Sequence, residues 1–250
     1  MSADWSRHRE PDSPQKGFTV ALVGPDGAGK SSLSHTLGDE LPFPITVIYM
    51  GVNLESSRLM LPSTRLVLAV KRVLGKRPDM VASVDPVVHP HTSRRAAKSI
   101  LHTLKSALRL TNWMAEEWFR QAVAYYYTST GRVVVFDRHF FCDYYAFDVV
   151  DDYGKRSLGR RIHGWQLAHL YPKPHLTIYL DAPVPVLGAR KQESTAEYLE
   201  RRRDDYLKMR GVLDDFHVVD AARPPEAVLR EVADIISQQR ETQLESMVTG

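Results

Sequence analysis

Residues 20–33, VALVGPDGAGKSSL, constrain this 250-residue chain more than any other stretch. Gly24-x-x-x-x-Gly29-Lys30-Ser31 follows a run of small apolar residues and precedes leucines at helical spacing, Leu33, Leu37 and Leu41. Strand, glycine turn and helix, in that order, make the loop that cradles phosphate groups. Glycines let successive backbone N–H groups turn inward without a Cβ clash. The helix that follows points the positive end of its dipole at the same anion. Lys30 adds a full charge and Ser31 offers a hydroxyl to Mg²⁺. Gly24, Gly27, Ala28, Gly29, Lys30, Ser31 and Ser32 are therefore the expected nucleotide-binding residues.

Apolar runs place further strands around this loop. Phe18–Val23 reads as the strand entering it, Ile45–Met50 as a second, and RVVVF at 132–136 as a β-branched strand buried on both faces. Leu176–Leu180 and FHVVD at 216–220 complete the set. Helical spacing covers Ser31–Leu41, residues 59–75 after Pro62, Ser93–Leu110, Trp113–Thr128, Ser157–Leu170, Pro185–Lys191, Ala196–Arg210 and Pro224–Gln239. Strands alternating with helices specify a parallel, doubly wound α/β sheet with right-handed crossovers. The expected organisation is a tail at 1–17, one domain at 18–240 with a basic helical insertion at 52–110, and a fraying tail from 241. The aromatic runs at 125–127 and 143–147 read as helix faces packed into the core.

Charge matters here through its distribution. The formal total is +3, yet Glu55–Leu110 holds eleven Lys/Arg against three acids, about +8, so the remainder is near −5. One face is thus suited to an anionic partner, such as an acceptor's phosphates or an anionic membrane surface. A single cysteine, Cys142, excludes an intrachain disulfide and fits a reducing, cytoplasmic setting. No window of 18 uninterrupted apolar residues occurs. Histidines and the cysteine lack zinc spacing, leaving Mg²⁺ as the expected metal, and without RNA- or DNA-module signatures no nucleic-acid partner is expected.

Three motifs address what happens to the bound phosphate. In VVVFDRHFF, 133–141, Asp137 stands at the C-terminal end of a strand, where ligands of open α/β sheets collect. A carboxylate there can hold Mg²⁺ or accept an acceptor's proton, and Arg138 can clamp an anion. The alternative is a structural Asp–Arg pair, and for His139 a structural role is the leading reading. Next, YLDAPVPVLGARK at 179–191 and the helix with RRRDDYLKM supply the cations of a lid at 188–210. Finally, a strand ending in Asp220-Ala221 before a helix can wrap an adenine.

Together GPDGAGKSS, VVVFDRH, IYLDAP…ARK, RRRDDYLKM and VVDAARPPEAV resemble, in order, the thymidylate kinase family of P-loop kinases. The resemblance covers about 18–40 and 112–240. It implies a three-layer fold with a five-stranded parallel sheet, ATP and Mg²⁺, and transfer of the γ-phosphoryl to a small acceptor. It also implies that Lys30 and Ser31 hold phosphate and metal, and that Asp26 lies near metal or acceptor. Asp137 would be the metal-side carboxylate, Arg138 an acceptor ligand and Arg190 the start of the lid, with Lys191 and Arg201–Arg203 as candidate lid cations. A homodimer is compatible with such a chain.

Departures fall on the acceptor side. The family's Arg-Glu-Pro after the second strand is replaced by Tyr49-Met50-Gly51. Its helix-borne arginine falls at Glu116, with Asn112 or Trp113 near the stacking slot and Arg120 one turn on as a substitute. The expected activity is phosphoryl transfer to a nucleoside monophosphate or similar acceptor. Alternatives are a sugar or lipid-linked acceptor, or a nucleotide-binding regulatory protein with a degenerate acceptor site. The absence of Asn-Lys-x-Asp argues against a guanine-nucleotide switch.

Overall fold

The computed structural model describes residues 16–51, 59–73, 100–150, 157–192 and 194–248. Five strands, β1 (Thr19–Val23), β2 (Ile45–Tyr49), β3 (Val133–Asp137), β4 (Leu176–Asp181) and β5 (Phe216–Asp220), form one sheet. Their order is β2-β3-β1-β4-β5, and every pairing is parallel. The α/β class and the five-stranded parallel sheet expected from the sequence are both present.

Alternation along β1 explains the layering. Val20 and Leu22 join a core with Leu33 and Leu37 of α1 (Lys30–Glu40) and with Val228, Val232 and Ile236 of a later helix. Ala21 and Val23 face the opposite core, built from Val134, Phe136, Phe140, Leu167 and Tyr206. Side chains of a strand point alternately to the two faces, so a run buried throughout demands cover on both. Each fully buried Leu or Val contributes about 1.5–3 kcal/mol, and the β1 side chains from Val20 to Val23 are at most 1% exposed.

The remaining helices are α2 (Pro62–Val73), α3 (Ile100–Ser129), α4 (Phe140–Asp148), α5 (Leu158–His169), α6 (Val184–Arg190), α7 (Ala196–Lys208) and α8 (Pro225–Val248). Two predicted helices, 93–110 and 113–128, prove to be one continuous α3 over the described residues. Asn112, in the gap between the two predicted helices, donates from Nδ2 to Thr64 Oγ1 of α2 at 2.9 Å. Its side chain is satisfied by a neighbouring element and leaves the helix's own backbone bonds alone. The C-terminal helix likewise continues past Gln239 to Val248, with Arg240 lying over the Phe43 ring at 4.6 Å. Tyr125 and Tyr126 are exposed, contrary to the core reading, whereas Tyr144 and Phe147 of α4 are buried. The predicted tail up to residue 15 and the Pro-rich connection at 76–92 lie outside the described residues, as do parts of the 52–110 segment. Among the described residues no helix is long and apolar enough to cross a membrane.

Candidate functional site

The glycine loop joins β1 to α1 as its sequence requires. Gly24, Gly27 and Gly29 have φ of 150°, 86° and 90°, values that L side chains rarely adopt. At Gly24 space is also lacking, since a Cβ would come within 2.5 Å of Leu180 O. At Gly29, the N-cap of α1, a Cβ would meet nothing within 4 Å. That open side of the loop is where an anion would rest against the helix N-terminus.

Lys30 is 5% exposed and curls back into its own loop, donating from Nζ to Gly24 O at 2.6 Å and Pro25 O at 2.8 Å. Burial pushes the ammonium down, Arg138 adds to that, and Asp26, Asp143 and Asp137 only partly oppose it, leaving a pKa of about 7. An incoming polyphosphate would restore the charged form.

β3 ends beside this loop because Leu22 and Asp137 are register partners. Asp137 is 5% exposed, and its Oδ1 is buried without a hydrogen-bond partner. Arg138 has φ of 70°, the only non-glycine residue with positive φ among those described. That turn sends its guanidinium to Asp26, with Nη2–Oδ1 at 2.5 Å. Burial pushes the Asp26 carboxyl up, but Arg138, Lys30 and Lys191 outweigh it, and the group titrates below the usual Asp range. Lys191 Nζ stands 4.0 Å from the same carboxylate oxygen. Asp26, Lys30, Asp137 and Arg138, predicted from two motifs far apart in sequence, are thus brought together.

Asp137's orphaned oxygen suits a hard cation with oxygen ligands. Among the described residues no group of three or more His, Cys, Asp or Glu could hold a metal. Mg²⁺ would therefore rely on Asp137, the Ser31 hydroxyl, water and phosphate oxygens. His139 is fully buried at the N-cap of α4, and burial lowers its pKa to about 3. With Gln121 Nε2 3.4 Å from its Nε2 and rings of Phe136 and Tyr171 beside it, it is a neutral packing residue.

On the far side of α1 lies a cleft of about 420 Å³ between that helix and the β5–α8 turn. Ala28, Gly29 and Ser32 form its wall on the glycine-loop side, and Leu33, Val228 and Leu229 are among its apolar surfaces. Ala221 and Arg190 line it as well, with Arg190 Nη1 donating to Ala221 O at 2.9 Å. Arg190 is thus held at the β5–α8 end of the cleft. Asp220 is exposed, and its Oδ1 accepts from Ala222 N at 2.9 Å, so it shapes the turn and does not line the cleft. Arg223, which sequence reasoning did not single out, lines the cleft and pairs with Glu231.

Two arginines of the predicted lid helix are engaged within the fold. Arg202 is 7% exposed, donates from Nη2 to Tyr206 Oη at 2.8 Å and from Nη1 to Asp143 O at 3.2 Å, and lies over the Phe147 ring. Arg203 makes a bidentate pair with Asp181 at the end of β4, both contacts 2.8 Å. These arginines bolt α7 to α4 and β4. Lys191 is the predicted lid cation that reaches the loop's charged group.

Across Arg138, the wall is made by α3. Arg120 is fully buried and donates from Nη1 to Tyr49 O at 3.2 Å and Gly51 O at 3.1 Å, while its Nε and Nη2 have no partner. Glu116, 1% exposed, accepts from Leu61 N at 2.9 Å through Oε1 and leaves Oε2 unpartnered. Trp113 stacks on His163 with centroids 4.0 Å apart, and its Nε1 is buried without a partner. Behind it His163 bonds Asp148 Oδ2 at 2.6 Å and Glu117 Oε1 at 3.0 Å. Burial pulls that imidazole down, but the two carboxylates outweigh it and hold its pKa at about 9. The ring face of Trp113 expected to be near the stacking slot is therefore shared with a buried cation.

No protein-family model matches the chain, and no curated protein matches it significantly.

Proposed function

We propose that this chain is an ATP-dependent phosphotransferase, resembling thymidylate kinase in its donor half, that moves the γ-phosphoryl of ATP to a small acceptor. The observation that carries the reading is the meeting of Asp26, Lys30, Asp137 and Arg138 at the C-terminal edge of β1 and β3, beside a cleft sized for a nucleoside. The adenosine end would occupy the Ala28–Leu229 cleft, and the triphosphate would lie along the open side of Gly29.

In the transfer, an acceptor oxygen forms a bond to the γ-phosphorus as the bond to the β–γ bridging oxygen breaks. The electron pair leaves on ADP, and the acceptor's proton passes to water. Lys30, released from the carbonyls of Gly24 and Pro25, offsets charge on the transferring group, and Lys191 approaches from the α6 side. Arg138 orients the acceptor once Asp26 lets go of it. Mg²⁺, when bound at Asp137 and Ser31, would supply charge neutralisation on the phosphates.

Titration of Mg·ATP into the wild type and Lys30→Ala, together with acceptor-dependent ADP release, tests the reading. Binding by the wild type and at least tenfold weaker binding by the variant are expected. Equal binding by both would overturn it.

A further inference from the structure

The two faces of the sheet differ in what they expose. α1 and α8 cover one face, and α3 and α5 lie on the other. Of the twelve large apolar side chains exposed among the described residues, eight belong to α3, α5 and its C-cap Leu170, and none to α1 or α8. Carboxylates divide the opposite way. Asp39, Glu40, Glu226, Asp234, Glu241 and Glu245 are exposed on α1 and α8. The acids of α3 and α5 are Glu116 and Glu117 alone, each at most 1% exposed, whereas Arg109 and Arg161 are exposed there.

The two helices adjoin. His163 of α5 bonds Glu117 of α3 at 3.0 Å, and a Cβ on Gly159 would lie 3.5 Å from Leu110 Cδ2. Trp118 meets Tyr171, just past α5, edge-on at 5.8 Å. Leu108, Ala115, Trp118, Ala122 and Tyr125 form an exposed, uncharged stripe along α3, spaced to share one helix face. Leu158, Ile162 and Trp165 do the same on α5. α3 leads into β3 and α5 into β4, so both run against the strands, with their first turns towards the sheet edge that holds the glycine loop. The stretch 55–110, about +8 by sequence, runs into α3 at that same end.

We infer that the outer face of α3 and α5 docks on an anionic bilayer surface. Interfacial binding combines buried apolar side chains with cations that meet acidic headgroups. Trp and Tyr suit the headgroup level, since each joins an apolar ring to a polar tip. Arg161, next to Ile162 and one turn from Leu158 and Trp165, can lay its aliphatic stem along them and leave its guanidinium among the headgroups. The same surface repels the six carboxylates of the other face, so the molecule meets it in one orientation. A second copy of the chain would cover the apolar stripes but would bring no exposed carboxylate from α3 or α5 to the arginines. An anionic bilayer complements both features.

Flotation of the full chain with vesicles of phosphatidylcholine alone, or with about a third phosphatidylserine, tests this at about 0.1 M salt. Roughly tenfold more protein should float with the acidic vesicles, and the excess should fall severalfold at about 0.5 M salt. Trp165→Glu and Arg161→Glu, both at exposed positions, should each lower that partition about fivefold or more, with melting temperatures near wild type. Arg230→Glu, the same charge reversal on α8, should leave it within about twofold. If a variant fails to fold, the lipid and salt dependence of the wild type still decides. No flotation, equal flotation with neutral and acidic vesicles, or no effect of either folded variant overturns the inference. So does a vesicle-free dimer, seen by light scattering, that Trp165→Glu dissociates, since a second copy then owns the face. None of these outcomes touches the nucleotide site, which the Mg·ATP titration tests separately.

Discussion

Arg138 reaches Asp26 across the mouth of the glycine loop at 2.5 Å, and it does so from a left-handed backbone with φ of 70°. A non-glycine residue in that region costs about 1–3 kcal/mol and persists where its surroundings over-determine it. Here the Arg138 N–H is tied to Leu22 O at 3.1 Å, so the sheet itself aims the guanidinium at the loop. On the phosphotransferase proposal, the contact is the resting state of two groups that would both act on a substrate.

Removing the guanidinium should therefore harm catalysis far more than folding. Both side chains of the pair remain about a quarter exposed, a setting in which ion pairs add less than about 1 kcal/mol. For Arg138→Ala a loss of at least about a hundredfold in kcat/KM is expected, roughly 2.7 kcal/mol of transition-state stabilisation, with the melting temperature within a few degrees of wild type. Steady-state kinetics with thermal melts check both, and activity within tenfold of wild type would contradict the role.

Lys30 should take up a proton when nucleotide binds above neutrality. In the free protein its pKa is about 7, so at pH 8 it is mostly neutral, whereas triphosphate oxygens favour the ammonium. Calorimetric titration of ATP at pH 8 in buffers of different ionisation enthalpy should give an uptake approaching one proton per site. The uptake should vanish in Lys30→Met and shrink towards zero at pH 6.

His163 sets a different pH dependence. Its folded pKa, about 9, lies above the ordinary histidine value of 6.5. Its charge therefore contributes stability in full below about pH 6.5, and the contribution is lost as pH rises through about 9. His163→Gln leaves Glu117 buried without its cation, while Asp148 keeps Arg160, and should cost about 3–5 kcal/mol at pH 6. The gap between variant and wild type should narrow by pH 10; denaturant unfolding at the two pH values reads it, and a constant gap would refute the charged imidazole.

Lys191 and Arg203 should separate cleanly. Lys191→Ala is expected to lower kcat about tenfold while leaving stability nearly unchanged, since its side chain is 41% exposed. Arg203→Ala, which breaks the bidentate pair with Asp181, should lower the melting temperature by several degrees. A large kcat loss for Arg203→Ala at unchanged stability would instead support a lid role for α7.

Much of this was legible in the chain because local signals and global constraints coincide in the donor half. A loop needing positive φ must be written in glycine, and a central parallel strand must be apolar throughout, so GPDGAGKS and VVVFD announce themselves. Individual arginines do not. RRR at 201–203 reads the same whether its members face solvent, a phosphate or a core, and only the fold reveals that Arg202 is sandwiched between Phe147 and Tyr206. Glu116 and Arg120 were legible as departures, but their unused atoms depend on distances between α3, β2 and α2 that no spacing encodes.

The continuity of α3 has a consequence for anyone wishing to simplify the molecule. Thirty residues of unbroken helix extend about 45 Å, with the first turns inside the basic stretch and Glu116 and Arg120 farther along the same rod. Glu116 also grips Leu61 at the entrance to α2. The basic stretch is therefore no detachable accessory: excising 52–110 would saw through the beam that carries Glu116 and Arg120, and the truncated protein would lose the packing of that beam against β2 along with its appendage.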